Sequence, residues 1–376
     1  MIFTDPISVG LLGLAMMFLL IILQVPVGIS MGVVGVVGTG FIIGFEPALT
    51  LLATEPSSAM SSEGLAVIAL FLLMGNIAHA GGMSDELYKL AYAFLGHRRG
   101  GLIFATIGAC AGFGAICGSS VATAATMARI ALPQMIERGY EKSLAAGAIA
   151  SGGTLGMIIP PSVVMILYAI LTENSIITLF LAAIIPGILA VVFYFTAISI
   201  VFRLYPNLGP TGERLSWRVR RREARNSWAV ILLAFSVSGG IYSGVFTVTE
   251  AASVGASMAL IISITRRRLK MKSFLASLGD TASNTGLIFV IIIGASVFSY
   301  FATLSGLPEA TVAWIEALGL PPLGVIALLM VFFLILGSIF DTIAAMVLTL
   351  PFVYPLIIGL GYDPIWWGVI NIVVIE

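Results

Sequence analysis

Apolar runs interrupted by glycine and proline occupy nearly the whole chain, and they decide what it can fold into. They fall at residues 7–23, 27–45, 65–80, 101–117, 121–136, 144–172, 178–202, 228–244, 251–265, 285–304, 323–338, 342–358 and from 365 onward. A helix needs about 20 mostly apolar residues to cross the hydrocarbon core of a bilayer. Only 10% of the 376 residues are charged, whereas a soluble domain carries about a quarter. A surface this poor in charge must be covered by lipid. Formal net charge is zero, so no global field draws nucleic acid. Cys110 and Cys117 lie two helical turns apart in one run, about 10 Å of rise and too far for a disulfide. The first run lacks a basic leader and a cleavage site, and reads as a span rather than a signal peptide.

Charge placement orients the spans. Arg203, Arg214, Arg218, Arg220, Arg221, Arg222 and Arg225 crowd one loop, and Arg266, Arg267, Arg268, Lys270 and Lys272 the next basic one, 12 of the 18 Lys and Arg. Both loops are cytoplasmic by the positive-inside rule. Counting outward, Lys89, Arg98, Arg99, Arg138 and Lys142 fall inside, while Glu46, Glu55, Glu63, Glu173, Glu250, Glu309, Glu316 and Asp363 fall outside. Parity closes whether 101–136 and 323–358 are re-entrant hairpins or pairs of full spans. Their shortness and polar tips favour hairpins, since irregular backbone at membrane depth is tolerated only where it lines a cavity. Tyr88–His97 reads as a short amphipathic segment at the inner interface.

The two halves also match. Gly82 followed by Gly100 corresponds to Gly306 followed by Gly324, and Pro133 with Gly139-Tyr140 to Pro355 with Gly361-Tyr362. One hairpin starts inside and the other outside, which is inverted topology. The expected fold is an all-α polytopic membrane protein with two re-entrant helical hairpins and discontinuous helices. Its divisions are scaffold helices at 1–63; a first repeat at 64–202, with a hairpin at 101–138 and an unwound stretch at 151–162; basic loops and a scaffold helix pair at 203–272; and a second repeat at 273–376, with a hairpin at 323–358.

Three clusters could carry chemistry. Ser119, Ser120 and Thr123 sit at the first tip, where a broken helix exposes carbonyls and N–H groups that a cation or anion could satisfy; a small-residue packing patch is the equal alternative. Between Ser151 and Ser162, three glycines (Gly152, Gly153, Gly156) and Pro160-Pro161 point to unwinding beside that tip, with a simple proline kink as the other reading. Gly337, Ser338, Asp341 and Thr342 form the second tip. Asp341 is the clearest ionisable residue within an apolar stretch, suited to sodium, a proton or a substrate hydroxyl, and also to capping the next helix. Arg129 reads as snorkelling to the interface, and Glu250 after Thr247 as a helix start. His79 and His97 are isolated, so no metal cluster is visible.

These stretches resemble the large membrane subunit of tripartite ATP-independent periplasmic (TRAP) transporters: Gly64–Asn76, Gly118 through Tyr140, Gly152 through Pro161, and Gly239 through Ala251. Val248 stands where the family often has proline. The resemblance implies an elevator-type, sodium-coupled importer in a bacterial inner membrane. It also implies a small four-helix membrane subunit, a periplasmic substrate-binding protein, and a small organic acid as cargo. By the same resemblance Ser119, Ser120, Thr123, Gly153, Thr154 and Gly156 fall in a first half-site, and Gly337, Ser338, Asp341 and Thr342 in a second. Sodium is assigned to Ser119, Ser120, Gly153, Thr154, Gly156, Gly337, Ser338 and Asp341; substrate to Ser119, Ser120, Thr123, Ser338, Asp341 and Thr342. The family continues beyond the position of Glu376 with a second Gly and Pro-Pro break, so the second repeat is expected to be C-terminally incomplete. The rival transport reading is an ion-coupled elevator carrier that needs no binding protein. An intramembrane enzyme is disfavoured: Asp341 has no second carboxylate to share a proton with, and no His-Glu-x-x-His is present.

Overall fold

Glycine, proline and short polar side chains set the ends of the helices. The computed structural model describes residues 5–376, and among them no strand occurs. In chain order the helices are α1 Pro6–Ile22, α2 Val27–Ile43, α3 Phe45–Ser61, α4 Glu63–Ala80, α5 Met83–Leu95, α6 Gly101–Cys117, α7 Ser120–Glu137, α8 Lys142–Ile158 and α9 Val163–Leu171. They continue as α10 Ile176–Leu204, α11 Trp217–Asn226, α12 Trp228–Tyr242, α13 Val248–Thr265, α14 Met271–Leu304, α15 Leu307–Ala317, α16 Pro322–Gly337, α17 Thr342–Gly359 and α18 Pro364–Ile375. Five of them (α4, α10, α13, α14 and α17) are long and apolar enough to cross a membrane, and α8 with α9 forms a sixth, bent by 42°. The protein is a multi-pass, all-α membrane protein.

Three helices lie where the sequence reads as loop. The segment holding Glu46 and Glu55 is the helix α3, the basic loop after Arg203 contains α11, and α15 precedes the second tip. Span periodicity misses them because α3 and α11 are polar and α15 is short. In α3 a proline, Pro56, is accommodated inside the helix. Thr247 and Glu250 do start α13, as a capping box with both reciprocal bonds in place.

The chain divides into two compact units. One comprises the described residues up to Leu65, together with Leu171–Asn174 and Ser283–Glu376. In it α2 presents Gly28, Gly32 and Gly35 to α14, and a Cβ on Gly28 would lie 2.6 Å from the Val290 carbonyl oxygen. Small residues let membrane helices approach backbone to backbone, where dispersion contacts hold them. Trp367 of α18 is buried against Phe333 of α16, ring centroids 5.9 Å apart.

The other unit comprises Ala66–Ile170 and Ser175–Ala282. Its core joins α5, α6, α7 and α8 through Tyr88, Phe113, Cys117, Met127, Met135 and Ile149. Cys110 and Cys117 are free and buried within it, consistent with their spacing.

The same order of devices occurs twice. Each begins at a left-handed glycine (Gly82, φ 76; Gly306, φ 69) that leads into α5 or α15. Then come α6 or α16, a tip, and an 18-residue helix carrying proline, α7 or α17. A second left-handed glycine follows (Gly139, φ 76; Gly361, φ 76). Its tyrosine neighbour returns its amide to the preceding helix, Tyr140 to the Met135 carbonyl at 3.0 Å and Tyr362 to the Ile357 carbonyl at 3.2 Å. This is the Schellman closure, which satisfies carbonyls a helix end leaves bare. An acidic cap then opens α8 or α18: Glu141 accepts from the Ser143 and Leu144 amides, Asp363 from those of Ile365 and Trp366.

Candidate functional site

The first tip is a two-residue break. Gly118 ends α6 at φ 66, a conformation that disfavours any side chain. Ser119 turns to extended backbone and caps α7, its Oγ accepting from the Ala122 amide at 3.4 Å. Thr123 Oγ1 donates to the Ser119 carbonyl at 2.7 Å. Ser119 and Ser120 are half-buried and Thr123 is buried.

The break after α8 is shorter than the sequence suggested. Residues 151–158 remain helical, and only Ile159–Ser162 leaves the helix. The glycines do not unwind α8, because they serve as contact surface. A Cβ at Gly152 would meet Cys110 Sγ at 2.8 Å, and one at Gly153 would meet Ala124 Cβ at 2.7 Å and the Ser120 carbonyl at 3.1 Å. At Gly156 it would lie 2.8 Å from both the Ser119 carbonyl oxygen and Thr123 Oγ1. The prolines cause the break. Pro160 and Pro161 have no N–H to give the carbonyls of Gly156 and Met157, four residues back. The two are joined by a cis peptide bond.

Tip and break are stitched together. The Val163 amide, at the start of α9, donates to the Gly118 carbonyl at 3.1 Å. The structure thus brings Ser119, Ser120, Thr123, Gly153 and Gly156 into one oxygen-rich junction. Thr154 is set apart from it. Its hydroxyl donates to the Ser151 carbonyl at 2.7 Å and bonds the Tyr194 hydroxyl of α10 at 3.0 Å. A step of one residue along a helix turns the side chain by about 100°, so Gly153 and Thr154 cannot face the same neighbour.

The second tip is built differently. Ser338, the C-cap of α16, keeps helical backbone angles and returns its hydroxyl to the Leu334 carbonyl at 2.8 Å. Asp341 occupies the position equivalent to Ser119 and caps α17, accepting from the Ile343 amide at 3.1 Å. It is exposed rather than buried, so the capping reading is the one observed. Carboxylates are preferred caps because the helix start carries partial positive charge. Thr342 Oγ1 donates to Glu376 Oε2 at 2.6 Å. Gly337 lies against the backbone of Ile375 in α18, where a Cβ would fall 2.9 Å from its carbonyl carbon.

A polar cluster not singled out from sequence lies on α5. Glu86 is buried, and its carboxylate takes Arg266 through both oxygens, at 2.5 and 2.9 Å. Arg268 donates to the same Oε1. Ser227 Oγ donates to the Glu86 carbonyl at 3.1 Å, and Arg266 stacks over Trp228, 6.0 Å from its centroid. Arg266 and Arg268 therefore tie the ends of α5, α12 and α13 together besides biasing orientation. Glu86 lies just before the segment read as amphipathic, Tyr88–His97, and is buried on α5 with Met83, Tyr88 and Ala93; a carboxylate among apolar positions was the available signal. Arg129 is exposed.

Broken helices with polar tips, in a chain of membrane-spanning helices, are the build of transport proteins. Comparison with known proteins agrees. The family profile described as "Tripartite ATP-independent periplasmic transporter, DctM component" matches residues 14–376. The C4-dicarboxylate TRAP transporter large permease of Pseudomonas aeruginosa is 35% identical over 345 residues, 89% of this chain and 80% of that protein. The sialic acid TRAP transporter large permease of Vibrio cholerae is 26% identical, over 92% and 81%. The ectoine/5-hydroxyectoine TRAP transporter large permease of Ruegeria pomeroyi is 29% identical, over 94% and 82%. Among solved structures, the YdaH transporter of Alcanivorax borkumensis shares the fold with a TM-score of 0.59 at 15% identity, covering 88% of this chain and 77% of that one. The chain belongs to the DctM family of TRAP transporter large permeases, which are transporters and not enzymes.

Proposed function

We propose that the protein is the transport subunit of a sodium-coupled importer of a small organic acid, working in a bacterial inner membrane with a small four-helix subunit and a periplasmic substrate-binding protein. Family membership supports the partners, since tripartite transporters are named for them. The relatives' names supply the cargo class, including C4-dicarboxylate and sialic acid.

The observation that carries the sodium reading is the junction of tip and break. It gathers the Ser119 and Ser120 carbonyls and Thr123 Oγ1 against α8, where Gly156 and Met157 have carbonyls that prolines deny a donor. The donor set is oxygen only and uncharged, which suits a hard monovalent cation better than a proton. Sodium filling these positions stiffens the junction, and the acid binds against the ordered tip. In the other unit Ser338, Asp341 and Thr342 offer a second polar cluster, where the Asp341 carboxylate holds a cation of its own or accepts from a substrate hydroxyl. A ligand moves such an equilibrium only by its differential affinity for the two states.

The test is uptake into proteoliposomes holding all three components, with and without an inward sodium gradient. Ser120→Ala and Asp341→Ala are expected to lose uptake while assembly is retained. Full-rate uptake without sodium overturns the coupling. Transport without the binding protein overturns the tripartite arrangement.

A further inference from the structure

A cavity of about 300 Å³ opens where the α5–α6 corner, the α7–α8 turn and the stretch before α11 meet, lined by Tyr92, Gly96, Arg138, Tyr140 and Thr211. Its walls are fixed. Tyr140 donates its hydroxyl to the Pro210 carbonyl at 3.2 Å and accepts from the Leu102 amide at 3.3 Å. The Glu141 amide bonds the Leu208 carbonyl at 3.1 Å, and Arg99 pairs with Thr211 as an isolated bridge.

Among the described residues Arg138 has no carboxylate partner. The ion pairs among them are Arg222 with Glu223, and Arg266 and Arg268 with Glu86. The Arg138 guanidinium instead lies over the Tyr92 ring, 4.9 Å from its centroid, and donates to the Tyr92 hydroxyl. That leaves most of its five N–H groups for a ligand. The surroundings are cationic: Arg98, Arg99, Arg214 and the five arginines of α11 face Glu137, Glu141, Glu213 and Glu223. Helix α11 is held on α5 by Trp217 edge-on to Phe94, with centroids 6.3 Å apart, and by Arg220 over the same ring. Trp217 is 56% exposed. Arg220 Nε and one of its terminal nitrogens are buried with no hydrogen-bond partner. Exposed tryptophan beside arginine is the pattern of the headgroup level of a bilayer, and the charge bias places this rim at the inner leaflet, where anionic lipid attracts basic segments.

We propose that this cavity binds the phosphodiester headgroup of an anionic phospholipid. Arg138 forks onto the two non-bridging oxygens, as guanidinium does with phosphate. Tyr92 and Thr211 offer hydroxyls, and α11 supplies the surrounding field.

The test uses the full chain in detergent, titrated with short-chain phosphatidylglycerol or phosphatidylcholine and read by native mass spectrometry. Phosphatidylglycerol is expected to be retained more strongly than phosphatidylcholine, which has the same phosphodiester but adds a choline cation that the surrounding arginines repel. Arg138→Gln should weaken phosphatidylglycerol about fivefold, and Arg138→Lys by less. Thr211→Glu, which leaves Arg138 in place but gives it a carboxylate, should also lose the lipid. Arg267→Gln, on the other basic loop, should leave binding unchanged. Equal retention of the two lipids overturns the proposal, as does unchanged binding in Arg138→Gln or Thr211→Glu. An equal loss in Arg267→Gln would mean a diffuse charge effect with no site. Displacement of the lipid by equimolar inorganic phosphate would make a soluble anion the ligand and overturn the lipid assignment.

Discussion

Removing the Glu86 carboxylate tests whether the arginines beyond α13 act as a mechanical clasp or only as topology signals. The Glu86 side chain is 6% exposed, with Arg266 18% and Arg268 45% exposed around it. Breaking a buried ion pair from one side costs about 3–5 kcal/mol, mostly because the surviving charge is stranded. Here Arg268 reaches water readily and Arg266 partly, so the lower end applies. Glu86→Ala is expected to cost about 3 kcal/mol. Arg266→Met should cost less, because Arg268 still neutralises Glu86. The double variant should fall short of the sum by about 1–3 kcal/mol, as for residues sharing one network. The assay is SDS-titrated unfolding of the purified chain in detergent, followed by the fluorescence of Trp228 beneath Arg266. The loss should persist in high salt, since burial shields the pair from screening. A Glu86→Ala cost below about 1 kcal/mol with additive singles would refute the clasp.

Gly156→Ala places a methyl 2.8 Å from the Ser119 carbonyl and Thr123 Oγ1. It should cost about 1–3 kcal/mol and abolish uptake, measured by the same unfolding titration and by proteoliposome transport. Thr154→Val removes the bond to Tyr194 and should cost about 1 kcal/mol while leaving the sodium dependence of uptake unchanged; an altered sodium dependence would return Thr154 to the site. The Glu141 carboxyl is held below its ordinary value of 4.5 by bonds from the Ser143 hydroxyl, the Leu144 amide and the Ser143 amide. A carboxylate with a depressed folded value stabilises above its unfolded value and loses that contribution as pH falls through the folded one. Glu141→Gln should therefore lower stability at neutral pH and flatten its decline on acidification, read from melting temperature against pH.

Helix content and the tips were readable because both rest on local chemistry. Glycine readily takes the left-handed turn that ends α6 at Gly118, serine readily caps a helix as Ser119 does, and Pro160-Pro161 removes donors in any context. The matched pairs Gly82 and Gly306, and Gly139 and Gly361, announced the repeated order of devices, since left-handed turns need glycine. The extent of the second break was not readable. Gly152, Gly153 and Gly156 look like unwinding in one dimension, and only the approach of α6 and α7 shows them to be contact surface. The bond of Thr154 to Tyr194, and the exposure of Asp341 in the capping role the sequence also offered it, were hidden for the same reason. Which way a side chain points depends on Tyr194, forty residues on, or on whether the cap is exposed. Glu86 was passed over because its partners lie 180 and 182 residues away.

The bond from the Val163 amide to the Gly118 carbonyl has a kinetic consequence. Val163 begins a helix directly after a proline break, where an amide ordinarily trades its hydrogen with solvent freely. Here its acceptor belongs to a different interruption, so the two irregular stretches act as each other's splice. Opening one requires opening the other, which makes them a single cooperative unit of local unfolding. Deuterium should then enter at Val163 no faster than at the amides of the flanking helices, and a fault introduced at either break should speed its entry at both.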